Sequence, residues 1–385
     1  MGLFLITFLL LYGGLHLYVF LKTWHAFCFH WGVGTFIGFL FVVMIVSPII
    51  VHFLERGGHE TAARFMAYAG YCWLGFIFFF FAISISFDAL RFLAYITGII
   101  SKTDFSSFIS AYRWFFFIAL ISSIIMMIYG YREAGNIRLE TIRIETNRIP
   151  KEKGKITIAQ ISDVHLGLIV REEKLNKIVE LIKKAKPDIL VSTGDLVDGD
   201  INRLNGLVDL LKNIEPPLGK YSVMGNHEFY AGIDNSLDFH KKAGFVMLRG
   251  EGLTVHGMVN IAGVDDRAGE YFQIKKVSEK VVLSGLHNNL FTVLLKHTPV
   301  IDKDALDLFH LQLSGHTHKG QIYPFRYLTR LVFPLYTGYH KLSNNAHLYV
   351  SRGSGTWGPP IRFLAPPEVT IIELVSSPDS VVNEK

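Results

Sequence analysis

The run Ile156-Thr157-Ile158-Ala159-Gln160-Ile161 breaks directly into Ser162-Asp163-Val164-His165. Six residues rich in β-branched side chains read as a buried strand, and the polar residues sit where that strand ends. The same figure recurs four more times. Ile189–Ser192 ends in Gly194-Asp195-Leu196-Val197-Asp198, and Tyr221–Met224 ends in Gly225-Asn226-His227-Glu228. Phe291–Leu295 ends in Lys296-His297-Thr298-Pro299, and Leu311–Leu313 ends in Gly315-His316-Thr317-His318. Five strands thus deliver Asp, Asn or His at their carboxyl ends, which is where open α/β sheets build ligand sites. One such ending is an ordinary turn. Five in one segment gather donors.

The surroundings fit a layered α/β domain. Helical periodicity marks Glu172–Ala185, stopped before Pro187, then Asn202–Lys212, then Ile233–Ala243 closing on Gly244. Upstream, Ile137–Ile149 alternates apolar and polar residues with a slip of one at Thr141, which reads as a bulge. Pro150 and the Lys-rich turn after it predict an opening hairpin with the next strand. No internal repeat is visible.

The donors are oxygen and imidazole with no thiolate, because the only cysteines, Cys28 and Cys72, lie far upstream. Such a set suits Mn, Fe, Zn, Ni or Co rather than a structural zinc, and so many histidines exclude a hard Ca or Mg cage. There are too many donors for one ion and about enough for two sharing a carboxylate. Two cations ~3.5–4 Å apart generate hydroxide at neutral pH and clamp both oxygens of a phosphoryl displacement.

The series Asp163-x-His165, Gly194-Asp195-x-x-Asp198, Gly225-Asn226-His227-Glu228, His297 and Gly315-His316-x-His318 resembles the calcineurin-like metallophosphoesterases, in order, over about residues 150–320. The finish from Tyr349 through Gly353-Ser-Gly-Thr-Trp-Gly-Pro-Pro-Ile-Arg-Phe363 to Pro366-Pro367-Glu368 resembles the membrane-associated bacterial branch. The resemblance implies a β-sandwich flanked by helices. It implies that Asp163, His165, Asp195 and His318 hold one divalent metal and that Asp195, Asn226, His297 and His316 hold the other, with Asp195 bridging. His227 would be catalytic, contacting the phosphate or protonating the leaving oxygen, while Asp198 and Glu228 would orient the ligating histidines. The branch usually has two glycines after His-x-His; here Lys319 takes the first place and Gly320 keeps the second. Lys319 and Asp265 are candidate substrate contacts. His240, His256, His287, His310, His340 and His347 lack such a setting and read as surface or satisfied histidines.

Half of the 385 residues are hydrophobic, only 18% are charged, and the mean hydropathy is +0.33. That is too apolar for a wholly soluble chain. Residues 1–131 carry six basic and four acidic side chains, against 32 and 29 in the remainder. Four apolar stretches there, roughly Leu3–Leu21, Trp31–Phe53, Met66–Phe87 and Trp114–Tyr131, are long enough to cross a bilayer, which takes about 20 helical residues. The first lacks a basic start and a cleavage site, so a retained helix is expected. Asp88 with Arg91 reads as a neutralised pair, and His16 and His52 as satisfied or interfacial. The expected layout is a four-span anchor over 1–131, a catalytic domain over 132–376 and a polar tail over 377–385. Arg56, Arg64 and Arg132 through Arg148 outnumber the basic residues of the opposite loops, which favours a cytoplasmic catalytic domain in a multi-pass cell-membrane protein.

The net charge of +5 and the absence of a lysine or arginine block exclude nucleic acid as a partner; the bilayer and a phosphorylated, lipid-linked substrate are the expected partners. Tyr323–Tyr336 interleaves aromatics with Arg326 and Arg330, a mixture suited to dipping into lipid headgroups beside the site. The expected function is a dinuclear-metal phosphoester or pyrophosphate hydrolase; resemblance to the branch suggests a UDP-2,3-diacylglucosamine-like pyrophosphate. The competing readings are a soluble phosphodiester hydrolase and a non-catalytic membrane sensor or scaffold on the same fold.

Overall fold

The structure is a computed structural model that describes residues 2–199, 201 and 204–377. The tail expected at 377–385 therefore lies, after Ser377, outside the described residues. The chain divides into two compact units between Arg132 and Glu133, with the short segment Gly358–Ile361 grouped with the first.

The first unit is helical: α1 (Gly2–Phe27), α2 (Trp31–Ile45), α3 (Ser47–Arg56), α4 (Glu60–Ser101), α5 (Ser106–Ser110) and α6 (Tyr112–Gly135). Among the described residues three helices are long and apolar enough to cross a membrane, and α2 with α3 makes a fourth bent by 54°. The stretch expected as one straight span is thus broken at Val46. Pro48 in the first turn of α3 lacks an amide hydrogen and cannot continue the ladder of α2. Ala63, Ala67, Gly70 and Gly75 line the buried side of α4. Small residues there let helices approach closely, and a Cβ on Gly70 would lie 2.3 Å from Ser47 Oγ. His16 is satisfied: Nδ1 bonds the Tyr12 carbonyl at 2.8 Å, and Trp73 Nε1 donates to Nε2 at 2.8 Å.

The second unit holds two six-stranded sheets. The strands are β1 (Arg138–Thr146), β2 (Lys155–Ile161), β3 (Ile189–Ser192), β4 (Lys220–Ser222), β5 (Val246–Met247), β6 (Glu251–Val255), β7 (Val259–Gly263), β8 (Thr292–Leu295), β9 (Leu311–Ser314), β10 (Gly338–Lys341), β11 (His347–Val350) and β12 (Glu368–Ser376). One sheet runs β1-β12-β2-β3-β4-β5 and the other β10-β11-β9-β8-β7-β6. Helices α7 (Glu172–Ala185), α8 (Asn205–Lys212), α9 (Asn226–Ala231), α10 (Ile233–Lys242), α11 (Glu279–Ser284) and α12 (Phe325–Val332) complete the unit.

The period-two alternation of a strand divides β2 between two cores. Ile156 and Ile158 join Ile189, Val191, Val293, Leu295, Leu311 and Leu313 from both sheets, while Ala159 and Ile161 pack with Leu175, Ile178 and Ile182 of α7. Each such fully buried aliphatic side chain stabilises the fold by roughly 1.5–3 kcal/mol. The sandwich core therefore sits directly beneath the carboxyl ends of β2, β3, β8 and β9.

One expectation is corrected. The opening hairpin does not form: β1 pairs in parallel with β12, in continuous register from Arg138↔Glu368 to Thr146↔Ser376 and with no bulge. β12 lies between β1 and β2, antiparallel to β2. The reason is burial. β12 is apolar on both sides and takes an interior position, whereas alternate residues of β1 are exposed, as suits an edge.

Candidate metal centre

Asp163 and His165 follow β2, Asp195 follows β3, Asn226 opens α9 after β4, His297 follows β8, and His316 and His318 follow β9. Asp163, His165, Asp195, His316 and His318 all adopt positive φ, between 49° and 72°. Left-handed backbone is uncommon outside glycine and costs of order 1–3 kcal/mol at each site, so it persists only where neighbours over-determine it. Here Asp163 N–H donates to the Gly194 carbonyl and His165 N–H to the Asp195 carbonyl, each at 3.0 Å, locking adjacent loops together. Gly194 combines φ of 93° with close backbone: a Cβ would lie 2.6 Å from Gly225 N and 2.7 Å from His297 Nδ1.

Among the described residues the donors converge in three groups, two of which share no residue. Asp163, His165 and His318 form one, with His165 Nε2 and His318 Nε2 at 3.2 Å and His318 Nε2 at 3.4 Å from Asp163 Oδ1. Asp195, His297 and His316 form the other, with His297 Nε2 at 3.2 Å from His316 Nδ1 and 3.1 Å from Asp195 Oδ2. Asp195 Oδ2 also lies 3.9 Å from His165 Nε2, so one carboxylate borders both groups. Asn226 Oδ1 is buried with no hydrogen-bond donor.

This donor set fits two divalent cations. Buried ring nitrogens that face one another repel unless a proton or a cation stands between them. His297 Nδ1 bonds the Thr193 carbonyl at 2.8 Å and so carries its hydrogen there, leaving Nε2 for a ligand. Burial works to lower the His297 imidazole, but the Asp195 carboxylate outweighs it and raises the group well above its ordinary value. A cation between them would take that proton's place.

His227 forms a further group with His165 and Asp195, their ligand atoms within 4.8 Å of one another, and its ring centroid lies 4.6 Å from that of His165. Its Nδ1 lies 2.9 Å from Asp198 Oδ1, and its backbone N–H donates to Asp195 Oδ1 at 2.9 Å. Burial pushes the His227 ring down, yet the carboxylates of Asp195 and Asp198 hold it up at about 9. Exposed rings of Tyr230 and Trp357 flank it at 5.6 and 5.8 Å between centroids. Asp198 Oδ2 also lies 3.7 Å from His165 Nδ1, so Asp198 borders two imidazoles.

Glu228 differs from expectation. Its buried carboxylate touches no metal-facing histidine; it accepts backbone N–H bonds from Asp195 and Gly225 at 2.8 Å and from Leu196 at 2.7 Å. It shapes the loops that carry Asp195 and Asn226. His240 is corrected too: it is fully buried, neither ring nitrogen has a hydrogen-bond partner, and Nε2 lies 3.6 Å from Glu228 Oε1. Sequence context hid this because the partner sits on another element.

Lys319 is half-buried directly after His318, with φ of 54°. Burial and the neighbouring guanidiniums of Arg352 and Arg326 lower its ammonium below the ordinary lysine value. Asp265 is not brought to the cluster. Its carboxylate takes a two-pronged bond from Arg249, at 3.0 and 2.8 Å, in a separate cavity of about 320 Å³ lined by no metal-facing residue.

Arg362 was missed by sequence reasoning. It is fully buried, and its guanidinium bonds the carbonyls of Gly355, Arg352 and His318 and reaches His318 Nδ1 at 2.9 Å. The Arg362 contact fixes the His318 ring with Nε2 toward Asp163, the nitrogen that would face a cation. Burial and the Arg362 charge hold His318 well below its ordinary value. The signal for Arg362 was a lone charge in the small and apolar run Gly353–Leu364. The Tyr323–Tyr336 segment folds into α12, none of whose residues is buried; Tyr327, Leu328, Leu331 and Val332 are all more than half exposed. Phe333, next after α12, packs edge-on against His316 at 5.3 Å.

Comparison with known proteins agrees with this geometry. Residues 156–320 match the model of the calcineurin-like phosphoesterases. A metallophosphoesterase of Aquifex aeolicus is 40% identical over 254 residues, 66% of this chain and 97% of that protein. One from Campylobacter jejuni is 31% identical over 349 residues, 87% of this chain and 88% of that protein. A zebrafish transmembrane protein with a metallophosphoesterase domain is 30% identical over 67% of this chain and 62% of its own length. With a relative of such identity covered almost end to end, the chain belongs to the calcineurin-like metallophosphoesterases.

Proposed function

We propose that the protein is a membrane-anchored hydrolase of a phosphate ester or pyrophosphate carried by a lipid-linked substrate. The observation that carries this reading is Asp195, a buried carboxylate bordering two groups of Asp and His donors. When bound, two divalent cations would supply Lewis-acid stabilisation of the phosphoryl oxygens and an activated water. Asp163, His165, Asp195 and His318 would hold one cation; Asp195, Asn226, His297 and His316 would hold the other. His227 stands beside them with its Nδ1 fixed by Asp198, which leaves Nε2 free to donate a hydrogen bond or proton to the leaving oxygen. Lys319, close behind His318, would meet the anionic substrate.

The lipid-linked part rests on two supports. The chain carries three to four helices fit to cross a bilayer. The segment bearing Phe333 against His316 also presents the exposed apolar residues of α12, with Arg326 over the rings of Tyr323 and Tyr327 at 4.8 and 5.0 Å. An apolar face edged by arginine suits the headgroup layer. We assign the anchor to 1–131 and the catalytic domain to 132–376, on the cytoplasmic side, and take a UDP-2,3-diacylglucosamine-like pyrophosphate as the leading substrate. The test is the full chain in lipid nanodiscs, assayed with Mn or Zn against soluble phosphomonoesters, phosphodiesters and nucleotide–lipid pyrophosphates. The expected result is the highest kcat/KM on a lipid-linked substrate. A soluble phosphodiester turned over as well or better would overturn the lipid assignment.

A further inference from the structure

The helical unit contains a polar cluster of its own. Asp88 on α4 accepts from Tyr18 Oη at 2.6 Å, from Lys22 Nζ, and from Arg91 Nη1 at 3.4 Å, while Arg91 Nε donates to the Ile109 carbonyl at 2.8 Å. A carboxylate in a span needs one cation to neutralise it; here there are two, which leaves an excess positive charge. Donors are in excess as well. An ammonium offers three N–H groups and a guanidinium five, and among the described residues these two side chains hydrogen-bond only Asp88 and the Ile109 carbonyl, with Lys22 Nζ also over the Tyr18 ring at 5.4 Å. Both side chains are about a quarter exposed, at 26% and 25%, and they border a cavity of about 420 Å³. The rest of its wall includes Leu21, Phe87 and Phe115.

Depth gives the cluster its meaning. Counted from Glu60, Asp88 lies roughly 42 Å along α4 at ~1.5 Å per residue. A bilayer with its headgroups is about 40–45 Å thick. With the charged Glu55–Arg64 turn at one surface, the cavity therefore sits at the headgroup level of the other, where α1 ends and α6 begins. An unmet positive charge beside aromatic and aliphatic walls fits an amphiphile with an anionic head.

We propose that this cavity binds the phosphate of an anionic membrane lipid, in preference to a zwitterionic one. Lys22 and Arg91 grip the phosphate oxygens with their spare donors. Asp88 holds the two cations in position, and the Phe87 and Phe115 rings meet the apolar part of the ligand. The site shares no residue with the metal centre and does not depend on what that centre hydrolyses.

The test uses the full chain in nanodiscs of phosphatidylcholine mixed equally with phosphatidic acid, followed by native mass spectrometry of the released protein. The expected result is one phosphatidic acid retained per chain in preference to phosphatidylcholine. The double variant Lys22→Gln/Arg91→Gln should weaken that retention about tenfold or more, as expected for losing charged hydrogen bonds. Asp88→Asn keeps an oxygen acceptor that positions the two cations but removes the competing negative charge, and should strengthen retention. Inorganic phosphate titrated against the lipid-depleted protein distinguishes a lipid headgroup from a free anion, and binding as tight as that of the lipid would overturn the lipid assignment. Equal retention of both lipids by the unaltered protein would overturn the site itself, even where the double variant fails to assemble.

Discussion

Asp198 touches His227 through one oxygen and sits near His165 through the other, and this placement has a measurable consequence. The His227 imidazole is raised, so its charged form is present below about 9 and is lost as pH rises through that value. Two bound cations would engage Asp195, which leaves Asp198 as the carboxylate that keeps His227 charged. In Asp198→Asn the alkaline limb of the kcat profile should therefore move to lower pH. The rate below that limb should fall by about 10–100-fold, the usual cost of losing a partner behind a metal site. An unmoved limb would remove His227 from the acid role. Arg362→Met should cost more than activity. It leaves the carbonyls of Gly355, Arg352 and His318 buried without their donor and frees the His318 ring, so both thermal stability and metal affinity should drop. The metal-facing residues were legible because each follows the end of a strand within two to four residues. Glu228, His240 and Arg362 were not, because their partners are backbone groups and side chains on other elements, which spacing does not reveal.

At the scale of elements, the loops after β2 and β9 meet so closely that Gly315 has no room for a side chain. A Cβ there would stand 1.9 Å from Ser162 Oγ and 2.2 Å from Asp163 Oδ2. Gly315→Ala should push these loops apart, destabilise the fold by about 1–3 kcal/mol and weaken metal retention, read by thermal melting and metal analysis. On α12, reversing the charge of Arg326 and Arg330 should lower turnover of a lipid-linked substrate in vesicles while sparing a soluble phosphodiester. Equal loss on both would show that α12 acts on the fold and not on the membrane. Strands and long helices were readable from periodicity: α7 occupies the expected residues, and α10 ends one residue early. Strand neighbours were not. The hairpin expected after Pro150 assumed that consecutive strands pair, whereas β12 returns from the far end of the sequence to lie between them. α12 was not legible as a helix, because its aromatics and arginines obscure a helical repeat of only eight residues.

For the whole molecule, the uneven distribution of charge foretold a division into an apolar helical part and a charged α/β part, and the contact boundary falls between Arg132 and Glu133. Composition also foretold the helices, but not the bend between α2 and α3 nor the full 42-residue length of α4. Nor did it reveal that Lys22 joins the Asp88 and Arg91 pair, since Lys22 is distant from both in sequence. The central claim concerns metal. Purified full-length protein loaded with Mn, Fe or Zn should carry two cations per chain by elemental analysis and hydrolyse phosphoesters or pyrophosphates only in that state. Asp195→Asn should fall below two cations per chain and lose turnover by about a thousandfold or more, since both clusters share that carboxylate. One cation per chain with full activity, or undiminished turnover in Asp195→Asn, would contradict the account.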